Sequence, residues 1–301
     1  MNIIGYFQGD DPAACLLADG EIVAYIEEER LIRYKHARGV FPIRSIDFCL
    51  RKAGLQLKDI DCFAYGWDVP AYTDGSIAAF FEQVNRAYPP DDRTLGWQRF
   101  VVSWFSEDNA RERLRQALVK FYGSSDIPPL RSFPHHASHA MSAFVLSPFD
   151  EALVFTVDGS GDHQCATLWH GTGTGLTLLH EVPIPHSLGW FYAAITEFLG
   201  FEAYDGEYKV MGLAAYGREN LRLRKALESV VREGEHGWDY EVDPRFIHHG
   251  PHTYSDRFTD HLPEILGLAP RQGLTRLEPI HEDLAFEAQR VLEERVVRRL
   301  K

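Results

Sequence analysis

The amino-acid sequence predicts an α/β protein of two lobes, each built on a mixed sheet flanked by helices. Three short apolar runs separated by turn residues open the chain, and three more follow in its second half. A segment with helical periodicity comes after each set. The topology of the first half therefore repeats in the second half, although the sequence itself does not repeat.

The first lobe is predicted at residues 1–150. Its three opening strands form a meander, because Asp19-Gly20 between apolar runs is a strong hairpin signal. These strands are predicted at residues 2–7, 13–17 and 21–27. A helix from Pro42 to Lys52 and a strand at 61–65 follow. The segment at about 71–125 is predicted to be a helical insertion, whose aromatic side chains either line an acceptor pocket or, as we favour, pack in the core.

The second lobe is predicted at residues 151–301. Its meander strands are predicted at residues 152–157, 164–170 and 175–183. The glycine-rich stretch Gly171–Gly175 favours a turn over a phosphate-binding loop. Helices are expected at Leu188–Leu199 and at Pro279–Lys301, where acidic residues at the start and basic residues at the end match the helix dipole. Two such lobes with a cleft between them are typical of actin-like (ASKHA, RNase H-like) proteins.

Composition narrows the class of protein. The net charge of −13 argues against a general role on nucleic acid or anionic lipid. Four scattered cysteines without a Cys-x-x-Cys pair predict reduced, mostly buried thiols, as in a cytoplasmic protein. The sequence shows neither a signal-peptide pattern nor an apolar stretch long enough to cross a bilayer.

One stretch of the second quarter offers a metal site. His135 and His139 are four residues apart, so on a helix both imidazoles project from one face. Asp158 is predicted to end an apolar strand, and two nitrogens with one carboxylate suit a divalent metal. Backbone N–H groups after this aspartate are free to face an anion, in the segment Gly159, Ser160 and Gly161. A histidine pair alone is more often structural, and His136 is interpreted as structural.

Two further runs, one rich in histidine and one charged, are interpreted as solvated. The cluster at 247–252 contains Gly and Pro, so a solvated loop is favoured over a metal site. The run Glu27 to Arg30 is interpreted as a solvated charge cluster, in which Glu28 or Arg30 braces the cleft. Tyr192 and Phe198 are predicted to lie in the core.

Six motifs in order resemble the amino-terminal domain of the NodU/CmcH-type O-carbamoyltransferases. One such motif is weak, whereas six at plausible spacing over nearly the whole chain are specific. The motifs are Ala24–His36, Phe41-Pro42, Pro134–Ala140, Val157–Gly161, Ser187–Phe201 and Tyr208–Gly217.

The resemblance implies an enzyme that moves a carbamoyl group from carbamoyl phosphate to a hydroxyl of a small natural product, using ATP. It implies that a YrdC-like domain makes a carbamoyl-adenylate. An actin-like amino-terminal domain, similar to that of tRNA threonylcarbamoyl transferases, then passes the carbamoyl group to the acceptor. The present chain corresponds to that amino-terminal domain.

The resemblance also assigns residues. It implies a metal held by His135, His139 and Asp158, most often iron, with zinc, manganese or nickel as alternatives. It places Lys35 at the reaction centre. It assigns Lys209, together with the glycines around Asp158, to the side of the site that binds ATP or carbamoyl-adenylate.

The chain departs from the family pattern in two ways. The family's Gly-His-Asp turn is Gly9-Asp10-Asp11 here, so Asp10 replaces a histidine and Asp11 is left as the candidate base. Family members also continue after the final helix with further strands, a later aspartate ligand and the YrdC-like domain. We therefore expect a second lobe truncated before its last strands. The edge of its first strand and the apolar face of the last helix would then lack their usual neighbours, so either a partner chain completes the lobe or the sequence is a truncated reading.

Two alternatives stay open. The first is a non-catalytic subunit that binds nucleotide or metal and pairs with a separate YrdC-like partner. The second is a tRNA threonylcarbamoylation protein, against which the acidic balance counts.

Overall fold

The computed structural model describes residues 1–235, 239–249, 256–273 and 275–300. It divides into two compact units. The first unit comprises Met1–Ala78 and Val101–Ser138, and the second comprises Ala79–Phe100 and the chain from His139 onward.

The first unit is built on a five-stranded mixed sheet in the order β3-β2-β1-β4-β5. Its strands are β1 (Asn2–Phe7), β2 (Ala13–Ala18), β3 (Glu21–Glu27), β4 (Cys62–Tyr65) and β5 (Leu130–Ser132). Strands β1, β2 and β3 pair antiparallel, whereas β4 and β5 extend the sheet in parallel with β1. This order, a meander followed by parallel strands, is the RNase H-like arrangement, so the predicted α/β class with a mixed actin-like sheet is confirmed.

The helices up to residue 122 include the one predicted after the meander and those of the predicted insertion, together with a short helix at Glu28–Ile32 that was not predicted. They are α1 (Glu28–Ile32), α2 (Ile43–Ala53), α3 (Val69–Thr73), α4 (Ser76–Ala87), α5 (Asp92–Trp104) and α6 (Glu107–Tyr122). Helix α2 packs on β2 and β3 and buries Ile46, Cys49 and Leu50. In the insertion, Tyr72 and Phe105 are buried as core residues, in line with the favoured interpretation.

The contacts of Glu28 at the start of helix α2 show that its interpretation as a solvated charge was wrong. Glu28 is only 1% exposed, and its carboxylate accepts hydrogen bonds from the backbone N–H and the hydroxyl of Ser45, at 2.8 and 2.7 Å. It also accepts one from the N–H of Arg44 at 3.2 Å. These are orphan donors of the first helical turn. Glu28 therefore caps α2 and is not part of a solvated cluster.

The second unit carries a three-stranded antiparallel sheet of order β6-β7-β8. Its strands are β6 (Glu151–Gly161), β7 (Gln164–Thr172) and β8 (Gly175–Pro183). The glycine-rich stretch forms the β7–β8 turn, where Gly173 has a φ of +58°, so the turn prediction is confirmed. The strand prediction was wrong at Asp158, because β6 continues to Gly161 with an irregular register after Val157. A small hairpin of β9 (Val231–Glu233) and β10 (Tyr240–Val242) follows later.

The remaining helices are α7 (His135–Val145), α8 (Leu188–Phe198), α9 (Glu207–Ala214), α10 (Leu221–Val230), α11 (His261–Leu266) and α12 (Pro279–Leu300). Helix α7 packs on the sheet through Ala140 and Phe144, which contact Val154 of β6. Tyr192 and Phe198 of α8 are buried, as predicted.

Helix α12 has neighbours among the helices that precede it. It packs against α8, α9 and α10, and its apolar face is buried. The buried apolar residues are Leu284, Ala285, Ala288 and Val291.

The cysteines follow the prediction. Cys49, Cys62 and Cys165 are buried, Cys15 is half-buried, and all four are free thiols. Among the described residues, no helix combines the length and the apolarity that a membrane crossing needs. In the histidine-rich run at 247–252, residues 250–252 lie outside the described part of the chain.

Candidate metal centre

Helix α7 carries both candidate histidine ligands on its first two turns. His135 is 8% exposed, and its Nδ1 lies 3.0 Å from the carbonyl oxygen of Gly66. The Trp67 ring lies against it, with ring centroids 4.6 Å apart. When the Nδ1–H of His135 donates to this carbonyl, Nε2 keeps its lone pair, which is the tautomer that metal-binding histidines use.

Asp158 lies in the irregular part of β6. Its Oδ2 is 3.5 Å from Nε2 of His139, and its Oδ1 accepts a hydrogen bond from the N–H of Gly159 at 2.6 Å. The Asp158 and His139 side chains are 40% and 53% exposed, so both are reachable from solvent. The carboxylate is thus oriented by its own backbone, with one oxygen toward the imidazole.

The ligand atoms of His135, His139 and Asp158 lie within 4.8 Å of one another, and we call these three residues the helix cluster. Two atoms that each bind an ion at about 2.1 Å with tetrahedral geometry are about 3.4 Å apart, close to the separation of His139 and Asp158. The donor set of two imidazoles and one carboxylate suits iron, zinc, manganese or nickel. The residues therefore fit a divalent metal.

The thiol of Cys165 interacts electrostatically with Asp158 of this cluster. Burial raises the pKa of Cys165 well above its usual range, and the negative charge of Asp158 raises it further. A protonated, buried thiol is a poor metal ligand. The three residues of the helix cluster themselves offer nitrogen and oxygen donors.

Gly159, the first residue of the predicted phosphate-binding segment, makes other contacts in the structure. The N–H of Gly159 is donated to Asp158, and a β-carbon at Gly159 would lie 2.8 Å from Nε1 of Trp190. A side chain is thus excluded at Gly159 by packing. Ser160 and Gly161 complete the irregular end of β6, and an anion at their N–H groups stays a prediction.

Lys209 lies on α9, exposed, with its Nζ 3.7 Å from Asp205 and near the Tyr208 ring. These contacts hold the ammonium group along its own helix. A nucleotide contact by Lys209 stays a prediction.

The candidate acceptor-side residues lie in the first unit. Asp10 forms an ion pair with Arg38, at 3.2 Å, and Asp11 lies 2.8 Å from Nδ1 of His36. Lys35 is exposed and begins the short 3-10 turn Lys35–Ala37. Arg38 thus pairs with Asp10, whereas the carboxylate of Asp11 faces an imidazole.

A second group of donors comes together at this turn. Oxygen and nitrogen atoms of Asp11, Glu29 and His36 lie within 4.8 Å of one another, and we call these residues the loop cluster. The backbone N–H of His36 donates to Glu29 at 2.6 Å. Asp11 and His36 have φ values of 56° and 62°, in the left-handed region that non-glycine residues rarely adopt. Neither Glu29 nor His36 was predicted from the sequence to belong to a site, although both lie within the motif Ala24–His36.

Comparison with known proteins assigns the family. The family model described as carbamoyltransferase N-terminus matches residues 2–301. The chain belongs to the carbamoyltransferase N-terminus family. The predicted resemblance is therefore confirmed.

Curated relatives include two nodulation proteins. NolNO of Sinorhizobium fredii is 39% identical over 209 residues, which cover 69% of this chain and 28% of that protein. NolO of Bradyrhizobium diazoefficiens is 47% identical over 83 residues, covering 28% of this chain and 15% of that protein. An uncharacterized protein of Synechocystis is 40% identical over 223 residues, covering 72% and 34%. The chain thus spans about a third or less of the length of these relatives.

Among solved structures, YeaZ from Pseudomonas aeruginosa matches with a TM-score of 0.34 and 13% identity, covering 62% of this chain and 68% of that chain. Component A of (R)-2-hydroxyglutaryl-CoA dehydratase from Acidaminococcus fermentans matches with a TM-score of 0.39 and 14% identity, covering 99% and 89%. Similarity at this level carries no argument about function.

Proposed function

We propose that this chain is the transferase portion of an enzyme that moves a carbamoyl group from carbamoyl-adenylate to a hydroxyl of a small-molecule natural product. The observation that carries the proposal is the helix cluster, which places three donors suited to one divalent metal in a chain of the carbamoyltransferase N-terminus family. Membership of the family supports carbamoyl transfer as the reaction class.

The reaction forms a C–O bond between the acceptor oxygen and the carbamoyl carbon. The bond from that carbon to the AMP phosphate oxygen breaks, and AMP leaves with the electron pair. A divalent metal supplies Lewis acidity to such a transfer when it is bound. His135, His139 and Asp158 would hold it, with the ring of His135 oriented by the carbonyl of Gly66.

The acceptor hydroxyl must lose its proton as it attacks. We place the base at Asp11, because Asp10 is already paired with Arg38. His36 touches Asp11 at 2.8 Å and would hold this carboxylate in place. Lys35, exposed on the same turn, would stabilise negative charge that develops during transfer.

The transfer requires a preformed donor. Carbamoyl-adenylate forms from carbamoyl phosphate and ATP, and we propose that a YrdC-like domain or partner chain makes it. The net charge of −13 supports a small-molecule acceptor rather than RNA, because an acidic surface repels the phosphate backbone.

The test supplies the donor chemically. Metal-loaded chain is mixed with synthetic carbamoyl-adenylate and a panel of monosaccharides and polyhydroxylated natural products, with and without a YrdC-like protein. Mass spectrometry detects the carbamate ester, and chromatography measures AMP release above the spontaneous rate. We expect ester formation with at least one acceptor and its loss in D158N. Tight donor binding without turnover in every combination would instead favour the non-catalytic subunit, and absence of both binding and turnover would exclude both functions.

A further inference from the structure

The backbone of Asp158 rests directly on the first turn of helix α8. A β-carbon at Gly189 would lie 2.6 Å from the carbonyl oxygen of Asp158 and 2.7 Å from the nitrogen of Gly159. Side-chain carbons do not approach backbone atoms this closely. Only glycine at position 189 therefore allows the peptide between Asp158 and Gly159 to lie where it does.

Ser187 holds the same peptide from the side. Its hydroxyl is fully buried and donates to the carbonyl oxygen of Asp158, at 3.1 Å. The hydroxyl oxygen of Ser187 in turn accepts the N–H of Trp190, at 3.0 Å, which makes Ser187 the N-cap of α8. One hydroxyl thus connects the helix start to the strand residue.

Trp190 closes the third side. Its side chain is 2% exposed, and its indole lies where a β-carbon of Gly159 would be, 2.8 Å from Nε1. The ring also contacts Trp97 edge-on, with centroids 6.3 Å apart, so it is held from behind. The peptide is therefore enclosed by three residues of one helix turn.

We propose that Ser187, Gly189 and Trp190 are positioning residues that set the metal affinity of the helix cluster by fixing the backbone of Asp158. None of their contacts described above is with the carboxylate itself. The inference rests on the proposed metal centre and deepens it, because it says what determines its strength.

The geometry explains why the backbone matters. Oδ1 of Asp158 is tied to the N–H of Gly159, and Oδ2 is the oxygen near His139, so the carboxylate follows the peptide. Ligand sets keep their function only within about 0.5 Å of the productive geometry. Restoring an ordinary contact distance after adding a β-carbon at Gly189 requires a shift of about that size or more. The shift would move Asp158 away from the histidines.

The experiment uses the full chain and Co²⁺ as the probe. Calorimetry gives its affinity, and the visible absorption of the bound ion reports the ligand geometry. We expect G189A to weaken Co²⁺ binding at least tenfold and S187A about threefold to tenfold, each with an altered absorption spectrum. D158N removes a ligand and gives the reference value for Co²⁺ binding when the site is lost.

Matched controls separate positioning from stability. Gly212 lies in α9 with no atom within 4 Å of a β-carbon, so G212A adds the same methyl group without a collision. Asn220 caps α10 by accepting the N–H of Leu223, so N220A removes an N-cap away from Asp158. Both controls should bind Co²⁺ as the wild type does, whatever their melting temperatures.

The outcomes are distinct. Wild-type affinity and spectrum in folded S187A and G189A would overturn the proposal. If G189A does not fold, S187A against N220A decides alone, since both lose an N-cap and S187A also loses the hydrogen bond to the carbonyl of Asp158. Equal weakening of Co²⁺ binding in S187A and N220A would also overturn it, because the effect would then follow stability. A wild-type chain that does not bind Co²⁺ would instead remove the metal centre on which the proposed function rests.

Discussion

The helix cluster and the loop cluster contain the same kinds of donor but differ in what already binds them. In the loop cluster, Asp11 contacts Nδ1 of His36 and Glu29 accepts the N–H of that residue. Glu29 also lies 3.2 Å from Arg30, so its carboxylate is neutralised locally. In the helix cluster, the close contacts of Asp158 fix its backbone and one oxygen, and Oδ2 faces an imidazole. Proximity of donors alone therefore does not identify a metal site.

The largest expected effect is on Co²⁺ binding, and it tests the difference between the two clusters directly. D158N should weaken Co²⁺ binding at least 100-fold, because an amide oxygen replaces a charged ligand in a set of three. D11N should bind Co²⁺ with the wild-type affinity and a stoichiometry of one. Calorimetric titration measures both. Loss of the ion in D11N, or a stoichiometry of two in the wild type, would show that the loop cluster is the metal site or a second one.

The second prediction concerns the support of the loop cluster. E28A should lower the free energy of unfolding by about 3 kcal/mol, because two backbone N–H groups and one buried hydroxyl lose their acceptor. E28Q keeps the size and one oxygen and should lose less. Urea unfolding measures both. Co²⁺ affinity should stay at the wild-type value in E28Q, and a fall would mean that the two clusters depend on the same support.

The third prediction concerns the contact of His163 with the Glu181 carboxylate, at 3.6 Å. His163 and Gln164 lower the pKa of Glu181 to about 2, from an ordinary value of 4.5. A folded pKa below the unfolded one stabilises the protein above about pH 4.5, and this stabilisation is lost as the pH falls toward 2. The Glu181 side chain is 41% exposed, so solvent screening reduces the contribution to about 1 kcal/mol.

E181Q should remove this part of the pH dependence. Urea unfolding of wild type and E181Q between pH 5 and pH 2.5 measures it, with Co²⁺ binding at pH 7 as the control. Parallel stability curves for the two proteins would contradict the assignment. Weaker Co²⁺ binding in E181Q would place this pair in the metal centre.

The smallest expected effect is at the Asp10–Arg38 pair. The side chains are 36% and 20% exposed, and D10N should change the free energy of unfolding by no more than about 0.5 kcal/mol. Carbamoyl transfer should persist in D10N and fall at least tenfold in D11N, because only Asp11 is placed as the base. Equal loss of transfer in both variants would remove the distinction between these aspartates.

The sequence predicted the elements that depend on local signals. Turn residues at Asp19-Gly20 and around Gly173 predicted the strands on either side of them. The amphipathic period of the last helix predicted Pro279–Leu300 and its buried face. The spacing of His135 and His139 was enough to place both on one helix face. These features need no knowledge of distant contacts.

The features that were missed depend on contacts far along the chain. Glu28 resembles a surface charge until helix α2 brings Ser45 to it. The continuation of β6 beyond Asp158 depends on the packing of Gly189 and Trp190 about thirty residues later. Charge runs and glycine clusters carry no local sign of such partners, so periodicity could not reveal them.

The cap at Glu28 has a consequence for motion in the first unit. The Glu28 carboxylate binds the start of α2, so it joins the two ends of the segment that carries Lys35. Asp11 contacts His36 within the same segment. Such a segment opens as one cooperative unit rather than fraying residue by residue. Amide hydrogens between Glu29 and Phe41 should then exchange with solvent deuterium at a shared opening rate, and that rate should rise for all of them together when the cap is lost.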